Sequence, residues 1–239
     1  MNIHALNLTC DRDNDLSTLM TQALYRYCDN LKTLVVINTD HNKNFIGYEN
    51  GAGWKATMMK LKEMRKFKVE DNDFVLSVDS DVVFCSKDVF LQLDLNYGII
   101  GIKHKPEYHT HFGSWSHMSG CLIFLRGDIF KKICLLSEDE LNNIRYQHFK
   151  AYAITENEDV ILSYLAKYVG AEYKELPSFL TSGNFESDLD FNQATGRRFS
   201  TDKLRSFYHL NYCPTSFLTE PVTGKWDIPK VLELKGVAL

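Results

Sequence analysis

The chain has 239 residues, of which 44% are hydrophobic and 24% are charged, and its formal net charge is −4. This length fits one domain of generous size, and the composition is that of an ordinary globular protein. The negative balance argues against a protein that coats nucleic acid, because such proteins are basic, although it leaves room for an enzyme that touches nucleic acid locally.

The sequence carries no recognisable targeting or membrane segment. It has no window of about 18 apolar residues, so we expect no transmembrane span. The N-terminal stretch "MNIHALNLTC" lacks the basic region and long apolar run of a signal peptide. The six cysteines are scattered without a CxxC pair, which favours buried thiols in a reducing compartment. We therefore expect a cytoplasmic setting.

The first half of the chain alternates strand and helix patterns. The strand candidates "NIHALNLT", "TLVVINTD" and "DFVLSVDSD" are separated by the helical stretches "LSTLMTQALYRYCDNL" and "GWKATMMKLKEMRKF". This order predicts a mostly parallel sheet with right-handed crossovers. Runs that are apolar on both faces, such as "LVVI", predict a sheet that is covered by helices on both sides.

The second half continues the pattern less regularly. Two further strands are predicted at "YGIIGIKH" and "GCLIFLRG", and two helices at "EDELNNIRYQHFKAY" and "NEDVILSYLAKYVG". Beyond "KELPSF" we expect loops, one or two short strands and a C-terminal segment that folds back on the domain. The whole pattern predicts a single α/β domain over residues 1–239.

Two carboxylates interrupt the buried strand "FVLSVDSDVVF". Asp79 and Asp81 fall at the carboxyl end of the strand, which is where parallel α/β sheets bind ligands. Two neighbouring acids repel each other and resist desolvation, and a divalent cation such as Mg²⁺ or Mn²⁺ resolves both problems. The alternative is a surface turn, since Asp-Ser-Asp is common turn chemistry. The buried flanks favour the metal site.

The same stretch resembles the DxD segment of the GT-A glycosyltransferases. "GAGWKATMMKLKEM" is similar to the glycine-rich turn and lysine helix that precede DxD in several of these families, most closely the glycosyltransferase domains of collagen-modifying lysyl hydroxylases. Those domains carry D-x-x-D, whereas this chain has Asp-Ser-Asp. The resemblance implies a Rossmann-like GT-A fold and metal-dependent transfer from a nucleoside-diphosphate sugar, with a UDP-sugar favoured. It also implies a nucleotide-binding half, about residues 1–100, and an acceptor-side half, about 101–239.

Three later stretches fit the pattern of this superfamily in the right order. "HMSGCLIFLRGD" resembles the N-S-G strand that lines the sugar pocket, which places Ser119 and Gly120 at the sugar and Met118 where Asn is usual. "TENEDVILSYLA" resembles the late acidic motif at a helix start. "FYHLNY" and the following "GKW" resemble the C-terminal histidine of the metal site and a lysine near the diphosphate. The resemblance thus extends from about residue 3 to 226.

This resemblance supplies the metal and phosphate ligands. Mn²⁺ or Mg²⁺ held by the two aspartates would neutralise the donor diphosphate, with His209 as candidate third ligand. A buried histidine bonded to backbone is the alternative for His209. Lys55, Lys62 and Lys225 are candidate phosphate contacts, and the alternative for each is an ordinary solvated lysine.

The nucleotide base and ribose are expected at the ends of the first two strands. Leu8, Thr9 and Asp11 follow the first strand, and Asp40 ends the second, where a carboxylate can bond a ribose hydroxyl. Ser80, between the two acids of the metal site, completes the predicted cofactor-binding set.

The acidic helix start provides candidates for the acceptor chemistry. In an inverting enzyme Asp159 or Glu158 would act as general base on the acceptor hydroxyl. The alternative is a pair of acids favoured by the helix dipole.

The histidine-rich stretch "HKPEYHTHFGSWSHMSG" is interpreted as a mobile cover in which Trp115 offers a face to a sugar. A zinc site is its alternative, although the spacings match no common pattern.

Two other functions stay open at this point. A nucleotidyltransferase shares the α/β architecture and the use of a divalent metal ion. It usually has a G-x-G-x-R loop after the first strand, however, where this chain has "LTCDRDND". A catalytically silent protein that binds a nucleotide-sugar is the second alternative. It is favoured by Met118 in place of Asn and disfavoured by the intact pair Asp79 and Asp81.

Overall fold

The computed structural model describes residues 1–39, 52–84, 86–110, 113–177, 181–182 and 207–209. Its strands are β1 (Ile3–Thr9), β2 (Leu31–Asn38), β3 (Phe74–Asp79), β4 (Val82–Phe84), β5 (Ile99–Thr110), β6 (Gly113–Arg126), β7 (Tyr173–Glu175), β8 (Thr181–Ser182) and β9 (Phe207–His209). Its α-helices are α1 (Asn14–Tyr27), α2 (Ala52–Met64), α3 (Gly127–Leu135), α4 (Glu138–Ile144) and α5 (Glu158–Tyr168). A π-helical turn, Arg145–Lys150, continues α4.

The central sheet has six strands in the order β2-β1-β3-β6-β5-β7. The three pairings β1·β2, β1·β3 and β5·β7 are parallel, and the two that involve β6 are antiparallel. The predicted β-α-β-α-β order of the first half is therefore confirmed. A small sheet of order β4-β9-β8 lies beside it. Because β1, β2 and β3 run in the same direction, their carboxyl ends meet at one edge, which we call the carboxyl edge.

Hydrophobic side chains cover both faces of the central strand β3, as its apolar run predicted, but the same prediction was wrong for "LVVI", because β2 is an edge strand and Val36 is 42% exposed. One core cluster joins Val75 of β3 to residues of α2, α3 and α5, such as Leu61 and Ile161. The other joins Leu76 and Val78 of β3 to α1. Each large side chain that is fully buried in this way contributes about 1.5–3 kcal/mol relative to an exposed position. This core holds the strand ends rigidly and thus fixes the side chains at the carboxyl edge.

The prediction of a mobile loop over the histidine-rich stretch was wrong for the residues that the structure describes. β5 and β6 form one long antiparallel hairpin through this stretch, with Tyr108 opposite Trp115. The alternation in "SWSHM", with Trp115 and His117 on one face, is the strand signal behind it. The register jumps from Gly101 opposite Ile123 to Lys103 opposite Met118. β6 therefore has extra residues at 119–122, which bulge towards the carboxyl edge.

Two smaller features bear on earlier expectations. No helix in the described parts of the chain is long and apolar enough to cross a membrane. The described cysteines, Cys10, Cys28, Cys121 and Cys134, are all free thiols, and Cys28 and Cys121 are buried.

Candidate active site

The two aspartates of the predicted metal site lie at the carboxyl edge. Asp79 is the last residue of β3 and lies opposite Leu8 of β1, and Asp81 follows in the turn to β4. Between them Ser80 is buried, and its Oγ donates to the Leu8 carbonyl at 3.0 Å. The turn is thus tied to the neighbouring strand through Ser80. Both aspartates remain partly exposed beside it.

A buried asparagine that the sequence reasoning missed supports this turn. Asn7 donates from Nδ2 to the Val78 carbonyl at 2.9 Å and to Ser80 Oγ at 3.2 Å. Ser17 of α1 donates in turn to Asn7 Oδ1 at 2.7 Å. A polar residue inside the apolar run "HALNLT" was the available signal. Because a buried amide costs stability unless it is hydrogen-bonded, this network fixes the end of β3.

Asp159 approaches from α5. Its Oδ2 accepts the backbone N–H of Gly120 at 3.3 Å, across the bulge of β6. A Cβ added at Gly120 would lie 3.2 Å from Asp159 Cβ, so glycine permits this close approach. Asp159 Oδ1 accepts from Val160 N at 2.8 Å. The carboxylate is held from both sides and its side chain is 22% exposed.

The three aspartates converge around one buried thiol. Burial, together with the negative charges of Asp79, Asp81 and Asp159, raises the pKa of the Cys121 thiol far above its ordinary value, against a hydrogen bond from Ser119 that lowers it. Leu122 of β6 pairs with Val78, the residue before Asp79, and the N–H of Gly120 on β6 bonds Asp159. β6 therefore connects the end of β3 to the start of α5 on either side of Cys121.

Glu158 has a different environment from its neighbour. It forms an ion pair with Lys60 of α2, whose side chain is 1% exposed and also donates to Ser77 Oγ on β3 at 2.9 Å. Lys60 thus links the metal-site strand to the start of α5. Sequence reasoning missed it, although Lys60 is spaced i+4 from the buried Ala56 and i−4 from the buried Met64 of the same helix.

The segment that precedes α5 is fixed by a second ion-pair group. Glu156 accepts two hydrogen bonds from Arg145, both 2.8 Å long, and Lys150 lies 3.1 Å from it. The Arg145 guanidinium stacks over the ring of Trp54 at 5.5 Å. At Gly53 an added Cβ would lie 1.7 Å from the Glu156 carbonyl oxygen. Gly53, in the first turn of α2, therefore permits the backbone contact that holds this segment.

The backbone of His209 lies beside the predicted metal site. β9 pairs antiparallel with β4, and His209 lies opposite Val82, the residue after Asp81. The His209 side chain is outside the described residues. In the described parts of the chain no three metal-ligating side chains form a group. Two carboxylates suffice for Mg²⁺ or Mn²⁺ when phosphate and water supply the other ligands, so the residues present fit such an ion.

Comparison with known proteins identifies the fold. No protein-family model and no curated protein matches the sequence. A glycosyltransferase involved in the glycosylation of the major capsid of PBCV-1 matches with a TM-score of 0.53 and 12% identity, over 99% of this chain and 100% of its own. Galactosyltransferase LgtC, in complex with donor and acceptor sugar analogs, matches with a TM-score of 0.51 and 13% identity, over 99% of this chain and 95% of its own.

The glycosyltransferase GlyE of Streptococcus pneumoniae TIGR4 matches with a TM-score of 0.50 and 15% identity, over 87% of this chain and 54% of its own. The chain has the GT-A fold of glycosyltransferases. The GT-A resemblance found in the sequence is thereby confirmed at the level of the fold, since identities this low carry the architecture alone.

The residues that were predicted to bind the nucleotide lie at the ends of β1 and β2. Thr9 is buried at the end of β1, and its carbonyl accepts the backbone N–H of Thr39 at 2.8 Å. Asp11 is exposed and accepts a hydrogen bond from Asn38 Nδ2 at 2.8 Å. These residues share the carboxyl edge with Asp79. Asp40 lies outside the described residues.

The predicted phosphate ligands lie apart from one another. Lys55 is exposed in the first turn of α2, and Lys62 is exposed in its last turn. They are seven positions apart on α2, which is roughly 10 Å along the helix axis. Lys225 lies outside the described residues. Their contacts with a phosphate remain predictions.

The residues predicted at the sugar differ in exposure. Trp115 is 5% exposed, with its ring stacked on Tyr108 at 5.0 Å and edge-on to Tyr164 at 5.1 Å. It also lines a cavity of about 380 Å³ between the hairpin and the end of α5. Ser119 is buried and donates to Cys121 Sγ at 3.4 Å. The hydrogen bond from the Gly120 backbone to Asp159 joins β6, the strand predicted to line the sugar pocket, to the first turn of α5.

Proposed function

We propose that this chain is a metal-dependent glycosyltransferase, which transfers a sugar from a nucleoside-diphosphate sugar to an acceptor hydroxyl or other nucleophile. The observation that carries the proposal is that β6 joins Asp159, bonded to Gly120, to the end of β3, where Asp79 and Asp81 lie at the carboxyl edge of a GT-A fold. LgtC, which has this fold, is described with donor and acceptor sugar analogs. The same two substrate classes are proposed here, with donor binding in residues 1–100 and acceptor binding in 101–239.

The proposed metal is Mn²⁺ or Mg²⁺. Asp79, Asp81 and His209 would hold it, and when bound it supplies positive charge to the donor diphosphate, which stabilises the leaving group. The sequence resemblance favours a UDP-sugar. Thr9, Asp11 and Asn38 offer hydroxyl, carboxylate and amide groups to the nucleoside at the neighbouring strand ends. The remaining proposed donor contacts are Leu8, Asp40, Lys55, Lys62, Ser80 and Lys225.

Asp159 is the proposed general base. Its carboxylate has about four lone-pair sites, of which the N–H groups of Gly120 and Val160 occupy two. It is partly exposed, so it can accept a proton from an acceptor hydroxyl that binds beside it. Glu158 is bound to Lys60 and is therefore assigned to positioning α5 instead of to proton transfer.

The direct test is the release of UDP from a panel of UDP-sugars. Water or added saccharides serve as acceptors, and each reaction is run with Mn²⁺ and with EDTA. The proposal predicts release with at least one donor that stops in EDTA. Asp159→Asn should remove this activity while leaving the binding of UDP and Mn²⁺ intact. Absence of metal-dependent release from every nucleotide-sugar, together with turnover of nucleoside triphosphates, would replace the proposal with nucleotidyl transfer.

A further inference from the structure

A histidine lies next to the proposed base on the buried face of the hairpin. His117 of β6 is 5% exposed, and its Nε2 lies 3.8 Å from Asp159 Oδ2. The same oxygen accepts the N–H of Gly120 at 3.3 Å. An imidazole nitrogen beside a carboxylate can receive a proton that the carboxylate has accepted.

We propose that His117 is the proton-accepting partner of Asp159, an inference that rests on the proposed glycosyltransferase function. The acceptor oxygen forms a bond to the sugar's anomeric carbon while the bond from that carbon to the diphosphate oxygen breaks. The diphosphate leaves with the bonding electron pair. The acceptor proton passes to Asp159 Oδ2 and then to His117 Nε2. Asp159 is thereby restored as a carboxylate and His117 becomes an imidazolium.

The imidazole is fixed in place by aromatic contacts. The ring of Tyr108 on β5 lies 5.6 Å from the ring of His117, and Tyr108 itself stacks on Trp115. Trp115 is in turn packed against Tyr164 of α5. Successive ring contacts therefore run from Tyr164 through Trp115 and Tyr108 to the imidazole of His117. Little rotational freedom remains to be lost when His117 acts, which favours a defined proton transfer.

Charged and titratable groups from several elements face this pair. From β5, Tyr108 has its pKa raised by burial and by the charge of Asp159. From the end of β3, the charges of Asp79 and Asp81 raise the pKa of Cys121, four residues along β6 from His117. From α2, Lys60 neutralises Glu158. In the loaded enzyme the metal neutralises Asp79 and Asp81, so the carboxylate of Asp159 is the charge that faces His117.

The distance of 3.8 Å is longer than a hydrogen bond, which spans roughly 2.7–3.2 Å. The two groups must approach by about 1 Å before the proton can move. Hydrogen bonds that serve catalysis are often long in a free enzyme and shorten once the substrate is bound. The bond from Gly120 N is itself long, so a small rotation of the Asp159 side chain costs little.

The test compares His117→Asn, His117→Ala and the matched control His109→Asn. His109 lies on the same hairpin at its exposed end, opposite Ser114. For each protein we would measure kcat and KM for UDP release from pH 5.5 to 9, the Kd of UDP with Mn²⁺, and the melting temperature. The His117→Ala variant is also assayed with added imidazole.

We expect His117→Asn to lower kcat by about a hundredfold, with little change in KM or in the Kd of UDP, and to change the shape of the pH profile. Imidazole should restore part of the activity of His117→Ala, and His109→Asn should behave as wild type. A kcat within twofold of wild type for His117→Asn overturns the inference. So does a loss of activity with the wild-type pH profile and no rescue by imidazole, because that pattern reports a structural role. Absence of turnover in the wild-type protein overturns the proposed function itself.

Discussion

Gly120 and Asp159 meet at 3.3 Å between a backbone N–H and a carboxylate oxygen, although they belong to a strand and a helix that are 39 residues apart. The contact exists because Gly120 has no Cβ. We predict that Gly120→Ala displaces the Asp159 side chain and lowers kcat for UDP release about tenfold, because small misplacements of a catalytic group are costly. Binding of UDP and Mn²⁺ should stay unchanged.

A double variant separates this effect from general damage. In the Asp159→Asn background, Gly120→Ala should lower the residual rate little further, since the two changes act on one group. An equal loss in both backgrounds would show that Gly120 acts independently of Asp159.

The metal-site aspartates should be essential to turnover and dispensable to folding. Asp79→Asn and Asp81→Asn are each expected to lower kcat by at least about a thousandfold, because a metal ion supplies several kcal/mol of charge stabilisation. The melting temperature should change little, since both side chains are partly exposed. Asp29→Asn is the matched control, an exposed aspartate before β2 at the opposite end of the sheet. Wild-type turnover in either site variant would contradict the metal assignment.

The buried ion pair of Lys60 and Glu158 should matter for stability. Lys60→Met keeps the volume of the side chain but leaves Glu158 without its cation. We expect a loss of about 3 kcal/mol in the free energy of unfolding, measured by urea denaturation. Glu158→Gln in the Lys60→Met background should recover part of this loss, because the unpaired charge is gone.

The comparison is Lys66→Met, which breaks the exposed pair with Glu63. Exposed pairs contribute at most about 1 kcal/mol, so this variant should unfold close to wild type. Equal effects at Lys60 and Lys66 would mean that Lys60 does not link α2, β3 and α5 as described.

Glu156 gives the molecule a defined pH dependence. The hydrogen bonds from Arg145, aided by Lys150, hold the pKa of Glu156 below its ordinary value of 4.5, against the opposing effect of burial. Because the pKa in the folded state is the lower one, the stabilisation is fully present above pH 4.5 and is lost as the pH falls through the folded-state value.

Glu156→Gln should therefore cost about 2 kcal/mol at pH 7 and progressively less below pH 4.5. Denaturation with urea across this range measures the difference directly. A cost that is the same at pH 7 and at pH 3 would show that the Glu156 charge is not what stabilises the segment before α5.

The strand and helix order of the first half was predictable because local signals agree with tertiary structure there. The run "FVLSV" is buried on both faces, and the acids at 79 and 81 interrupt this run, whereas "LVVI" forms an edge strand on which Val36 is 42% exposed. The acids therefore lie at the carboxyl edge, where parallel sheets bind ligands. This placement followed from the order of strands and helices and from the apolar run that the acids interrupt.

Other features depend on contacts between distant segments. In the sequence Lys60 is one of several lysines on α2, and nothing local distinguishes it. Only its contacts with β3 and α5 show that it is buried. His117 lies 42 residues from Asp159, and nothing local pairs them. The helix α3 was missed because it begins with "GD", which is typical of a turn.

The hairpin of β5 and β6 was misread for a similar reason. Histidine, glycine and proline in "HKPEYHTHFG" suggest a loop, whereas pairing with "SWSHM" makes both segments strands. Cross-strand pairing supplies hydrogen bonds and ring contacts that single-segment propensity does not report.

Thermal melting tests the central claim most directly. The protein is melted with UDP, GDP, ADP or TDP, each with Mn²⁺ and with EDTA, because binding to the native state raises the apparent stability by about 2.7 kcal/mol at a hundredfold excess over Kd. The proposed function predicts a rise in melting temperature with one diphosphate, UDP, that is lost in EDTA and in Asp79→Asn. No rise with any diphosphate in the presence of Mn²⁺ would contradict donor binding at the carboxyl edge.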